Sequence, residues 1–130
     1  MQNTSSHFSI TNTTKGKLPG LPFSGMKNSV LGKSYLLSLV IVGDSRSRKL
    51  NLRYRRKNKP ANVLAFPLSE QEGEIFLNLA RAKREAKLFE RNEKNFAGFL
   101  FIHALTHLKG FTHSSRMESE EVVVRKKFGI

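Results

Sequence analysis

Apolar residues in this chain fall into short runs divided by polar and turn-forming residues, and the period of each run predicts its element. FSITN over 8–12 alternates apolar and polar side chains and reads as an edge strand. Residues 13–25 carry glycines, prolines and lysines and read as loop, and a short helix is expected over about 24–32. YLLSLVIV (35–42) is apolar and β-rich, the composition of a buried strand. GDS interrupts it, with Asp44 or Ser45 as candidate N-cap for a helix running through about Tyr54. Arg55–Pro60 is a basic loop closed by proline, and NVLAFPL (62–68) is a third strand whose Pro67 points to an edge or a strand end. SEQEG makes a turn before a short strand at Glu74–Asn78, and helices follow near 79–91 and 94–109. The last helix runs from about Ser115 to Phe128, with Ser115 and Glu118 spaced as a capping box. No internal repeat is visible, and the helices concentrate late in the chain, so the fold class is α+β.

A chain of 130 residues suits one domain, 1–130, with a modest core, and residues 1–7 read as a disordered polar leader. That leader has no charged start, long apolar stretch and small-residue cleavage site, so it is not expected to be a signal peptide. The longest apolar runs, Leu36–Leu37 with Leu39–Val42 and Phe99–Ile102, are too short to span a bilayer. The absence of cysteine removes disulfides and thiolate metal sites, and a cytoplasmic setting is expected.

Charge adds a partner. The formal net charge is +13, and Asp44 is the only acidic residue before Glu70, while Lys49, Arg53, Arg55, Arg56, Lys57 and Lys59 crowd one stretch. Such clustering suits a polyanion, because each neutralised phosphate releases counterions, and it points to nucleic acid. A membrane surface fits less well, since no basic amphipathic helix with an aromatic face stands out.

Three of the four histidines lie in HALTHLKGFTH, at 103, 107 and 113. The helix around them is apolar nearly all round and is expected to be buried, with His103 and His107 one turn apart on one side. Imidazoles at that spacing can share a metal ion, and Gly110, just past the helix end, permits a left-handed reversal that brings His113 to the same ion. Three buried histidines serving only as packing would each need a separate hydrogen-bond partner. One zinc ion per chain is the best fit, with iron, copper and nickel also accepting nitrogen ligands. Three protein ligands leave a position open for a water of lowered pKa, the catalytic rather than the structural pattern.

The spacing, with glycine between the second and third histidines, is shared with metzincin peptidases. Ala104 stands where those enzymes place their glutamate base, so the motif supports a zinc hydrolase and argues against a protease. HALTHLKGFTH more specifically resembles the H-G-x-x-H-L-x-G-Y-D-H signature of the YbeY family, bacterial rRNA maturation factors described as single-strand-specific endoribonucleases. YRRKNKPANVLAFPL (54–68) is similar to that family's Y-R-x-x-D-x-P-T-N-V-L-S-F-P-x segment, and GEIFLN (73–78) to its G-D-I-x-I-x strand. The likeness covers about residues 35–130, and the first 34 carry no diagnostic motif.

This resemblance implies a small mixed β-sheet packed with helices and a zinc site on a buried helix and the turn after it. It implies cleavage of single-stranded RNA in rRNA maturation and ribosome quality control, with the small ribosomal subunit as partner. It also implies that Arg55 meets the scissile phosphate, a role suited to a guanidinium fork. Arg53, Arg56 and Lys57 are the candidate RNA-binding neighbours. Several positions depart from the family pattern: Ala104, Thr112, Asn58, Ala61 and Ala65 replace glycine, aspartate, aspartate, threonine and serine, while Glu74 keeps a carboxylate. Several of these changes remove polar groups of the kind that orient metal ligands and tune them. The alternative is therefore a zinc-stabilised ribosome- or RNA-binding factor with little catalysis. Another zinc hydrolase, a peptidase included, is disfavoured by Ala104 and by the charge.

Overall fold

The computed structural model describes residues 7–110 and 115–130. In chain order it contains β1 (Phe8–Asn12), α1 (Phe23–Leu31), β2 (Leu36–Ile41), α2 (Asp44–Arg55), β3 (Val63–Ser69), β4 (Glu72–Leu77), α3 (Leu79–Glu85), α4 (Glu93–Leu108) and α5 (Ser115–Lys127). Of the expected leader, residues 1–6 lie outside the described residues, and the His7 carbonyl accepts the Leu37 N–H at 2.9 Å.

The strands form one mixed sheet in the order β1-β2-β4-β3, parallel except for β3. β1 and β3 are the edges, as alternation in the first and Pro67 in the second predict. Pro67 has no N–H to donate, and the β3–β4 register shifts just after it. β4 starts at Glu72, two residues before the expected Glu74, because Glu72 and Gly73 pair with Leu36 and Leu37 of β2.

Alternation along the strands separates two cores. Leu37, Leu39, Ile41, Ile75 and Leu77 join the main one, whereas Val40, Val42, Leu64 and Phe76 face Leu50 of α2. α4 is central to the main core and packs on α1, α3, α5, β3 and β4. Its Phe101, Ile102 and Leu105 are fully buried, so the helix is enclosed on most sides as its composition predicts. Shortening Leu105 to alanine would cost about 2–5 kcal/mol, a large share of a small domain's stability. Gly73 lets the end of α4 approach the sheet: a Cβ there would lie 2.5 Å from Tyr35 Oη and 2.9 Å from Leu108 Cδ2.

Two expected helix ends differ. Gly43, rather than Asp44 or Ser45, is the N-cap of α2. Asp44 is the first helical residue, and its carboxylate accepts from Asn78 Nδ2 at 2.8 Å and pairs with Arg84 at 2.6 Å and Arg81 at 3.4 Å. Asn78 is wholly buried and needs that acceptor, while its own oxygen caps α3 by accepting the Arg81 N–H at 3.0 Å. The helix expected over 79–91 stops at Glu85 and tightens into a 3-10 turn, Ala86–Phe89, ended by Glu90 at φ 54°. That turn stacks Phe89 on Phe96 of α4, ring centroids 4.8 Å apart.

Candidate active site

His103 and His107 interrupt the apolar surface of α4 one turn apart, with ring centroids 4.8 Å apart and planes crossing at 80°. Both line a cleft of about 790 Å³. α4 contributes Phe99, Leu100 and Ala104 beside them, Asn62 and the first half of β3 contribute residues 62–66, and α5 adds Met117, Glu121 and Arg125. Arg55 lines the same cleft, so the structure brings His103, His107 and Arg55 together.

Helix ends set these positions. α4 closes at Leu108, and Gly110 adopts φ 101° while donating its N–H to the His107 carbonyl at 3.0 Å. This is the left-handed glycine the sequence predicts after the second histidine. His113, and the Ser115 side chain on which the expected capping box rests, lie outside the described residues. Arg55 is the last residue of α2 rather than the first of a loop, because Arg56 turns left-handed at φ 57° and its N–H returns to Leu52 O at 3.1 Å. The loop beyond is tied back by Asn51 Nδ2, which donates to Lys59 O at 2.9 Å. A cation at a helix C-terminus is favoured by the macrodipole. Arg53, Arg56 and Lys57 are exposed on this stretch and do not line the cleft; Arg53 lies over the Tyr54 ring, 5.4 Å from its centroid. His7 lines a different hollow, beside Glu72 and Glu74.

A residue missed by the sequence reading completes the first histidine. Glu121 is only 7% exposed, and its Oε1 lies 2.7 Å from His103 Nδ1. The Thr106 hydroxyl donates to the His103 carbonyl at 2.7 Å and lies 3.3 Å from the same Glu121 oxygen. A carboxylate on Nδ1 fixes the tautomer and the ring's orientation, assigning any ligand role to Nε2. The missed signal is that Met117, Glu121 and Val124 follow helical spacing on the buried stripe of α5, and one of the three is an acid.

Among the described residues no group of three or more histidine, cysteine or carboxylate side chains is placed to hold a metal ion. The two described imidazoles, with a carboxylate behind one of them, fit a nitrogen-ligated metal. Of the departures, Ala65 and Ala104 line the cleft. Thr112 lies outside the described residues.

A profile of the family described as Endoribonuclease YbeY matches residues 3–128. The chain is 32% identical over 98 residues to a protein named Endoribonuclease YbeY from Mycoplasma capricolum, covering 67% of this chain and 59% of that one. A protein of the same name from Finegoldia magna is 34% identical over 101 residues, 72% of this chain and 65% of the relative. These alignments thus span less than two thirds of either relative's length. One from Aliarcobacter butzleri is 28% identical over 129 residues, 91% of each chain. A solution structure of a Thermotoga maritima protein superposes with TM-score 0.65 at 23% identity over 93% of this chain and 90% of that one, a likeness of fold.

Proposed function

Because this chain belongs to the Endoribonuclease YbeY family, we propose that its cleft hydrolyses phosphodiester bonds of single-stranded RNA, in rRNA maturation and ribosome quality control on the small subunit in the cytoplasm. The observation that carries this reading is the placement of His103, held by Glu121, with His107 and Arg55 in one cleft. His103, His107 and His113 are the residues that would hold one zinc ion. Zinc, when bound, lowers the pKa of a coordinated water toward neutrality. Glu121 fixes the His103 ring so that Nε2 is the donor. Arg55 binds the scissile phosphate and meets the charge that grows on its non-bridging oxygens. Arg53, Arg56 and Lys57 hold phosphates outside the cleft, where no base need be read.

One observation favours a second reading, an RNA-binding factor with little turnover. Ala65 lines the cleft where the family segment has serine, removing a hydroxyl from the cleft wall. Metal content by mass spectrometry beside cleavage of single-stranded RNA decides between them. One zinc per chain and chelator-sensitive cleavage that copurifies with the protein support the nuclease. Zinc and RNA binding without cleavage leave the binding factor. His107→Ala should lose stoichiometric zinc, and full occupancy in that variant would overturn the ligand set.

A further inference from the structure

Arg125 lines the cleft from α5. Glu121, four residues earlier, is its natural partner by helix spacing, but that carboxylate is engaged by His103 and Thr106. Among the described residues no carboxylate pairs with Arg125, and its Nε is buried with no hydrogen-bond partner. The guanidinium lies 5.0 Å from the centroid of Phe99, and the guanidinium of Arg91 lies 4.5 Å from the same centroid. Two like charges therefore share one ring. Burial first, and the charge of Arg125 second, hold Arg91 below the usual arginine pKa.

Arg91 opens elsewhere. It donates to the Ile130 carbonyl at 3.0 Å, bonds Asn95 Oδ1, and lines a neighbouring hollow of about 440 Å³ with Phe89, Glu90 and Asn92. Phe99 lines the cleft, and the two cations over its ring open one into the cleft and one into the next hollow. An anion between the two would relieve their repulsion. The ring is already taken by guanidiniums, which argues for a phosphate rather than a stacked base.

We propose that Arg125 and Arg91, gathered on Phe99, form a second phosphate subsite that holds the backbone of single-stranded RNA next to the phosphodiester at Arg55. This rests on the RNA reading above and extends it to a path through the molecule.

The test is equilibrium binding of a fluorescein-labelled 2′-O-methyl oligoribonucleotide to the full zinc-loaded chain over a salt series, with steady-state cleavage of the matching RNA. Arg125→Met keeps the stem packed on Phe99 and removes the charge. It should weaken binding roughly 3- to 10-fold and lower the log–log salt slope by about 0.7, the value for one neutralised single-strand phosphate. In cleavage, KM should rise more than kcat falls. Arg125→Lys should restore the slope, which a packing defect would not allow, and equal melting temperatures check the fold. Lys126→Gln removes a neighbouring charge that does not line the cleft and should change the slope less. Parent values of affinity and slope in Arg125→Met, or an equal loss in Lys126→Gln, overturn the subsite while a cleaving parent keeps the nuclease. A parent that binds with this Arg125 dependence and never cleaves supports the subsite and sinks the nuclease. A parent that binds no RNA sinks both.

Discussion

His103 Nδ1 and Glu121 Oε1 lie 2.7 Å apart, joining α4 to α5 across 18 residues of sequence. A carboxylate this deeply buried is costly unless it is paired, and its partner is the first of the clustered histidines. The orientation of that ring therefore depends on how α5 docks on α4. Any metal held by the ring inherits the same dependence.

Removing the carboxylate should loosen the metal without removing a ligand. Glu121→Ala is expected to lower zinc affinity by about 10- to 100-fold, the usual effect of losing a group that orients a ligating histidine. Glu121→Gln keeps an oxygen to accept from Nδ1–H and should fall between parent and alanine. Competition against a chromophoric chelator measures both. Parent affinity in Glu121→Ala would show that the ring is held by something else.

The basic stretch at the end of α2 and just beyond it should act through charge alone. Neutralising Arg53, Arg56 and Lys57 together should weaken binding of unrelated single-stranded sequences about equally. The log–log salt slope should fall by about 0.7 for each phosphate these side chains no longer neutralise. A salt titration of the triple variant reads this, and an unchanged slope would move the RNA to another face.

Asp44 predicts how the fold responds to acid. The Asn78 amide, with help from Arg84 and Arg81, holds its carboxyl below the usual aspartate value, against the opposing effect of burial. A depressed folded pKa means the ionised form is favoured in the native state. Its stabilisation is complete above the unfolded value of about 3.9 and is lost as pH falls below it. Asp44→Asn should therefore melt lower than the parent at neutral pH, and the gap should narrow as pH drops from about 5 to 2. A gap that stays constant over that range would assign the effect to packing.

Most elements were legible because each carries its own pattern: alternation in β1, a mostly apolar, β-rich run in β2, and helical spacing in α4. The strand order was not. β2 pairs in parallel with both β1 and β4, and nothing local in YLLSLVIV names either neighbour. The break after Glu85 was hidden because AKLF has ordinary helix formers, and Phe89 makes its stack with Phe96 across the gap between elements. The same division runs through the site. His103 and His107 show themselves because they are four residues apart on one helix. Glu121 and Arg125 act across a helix–helix contact that sequence spacing does not encode.

Under the proposed function, Arg55 is the residue that should separate catalysis from binding. It is the cation of the basic stretch that enters the cleft with His103 and His107, whereas Arg53, Arg56 and Lys57 remain outside it. In Arg55→Ala those three remain to hold a long RNA, so affinity should change little. Charge growing on the phosphate in the transition state would lose its donor, and loss of such a preorganised group costs about 10²–10³ in rate. Zinc content should match the parent. Arg55→Lys should recover part of the rate, since an ammonium keeps the charge and loses the bidentate fork. Single-turnover cleavage at saturating protein isolates the chemical step from binding. Equal rates for the parent and Arg55→Ala in that assay would remove Arg55 from the chemistry and leave it as one more phosphate contact.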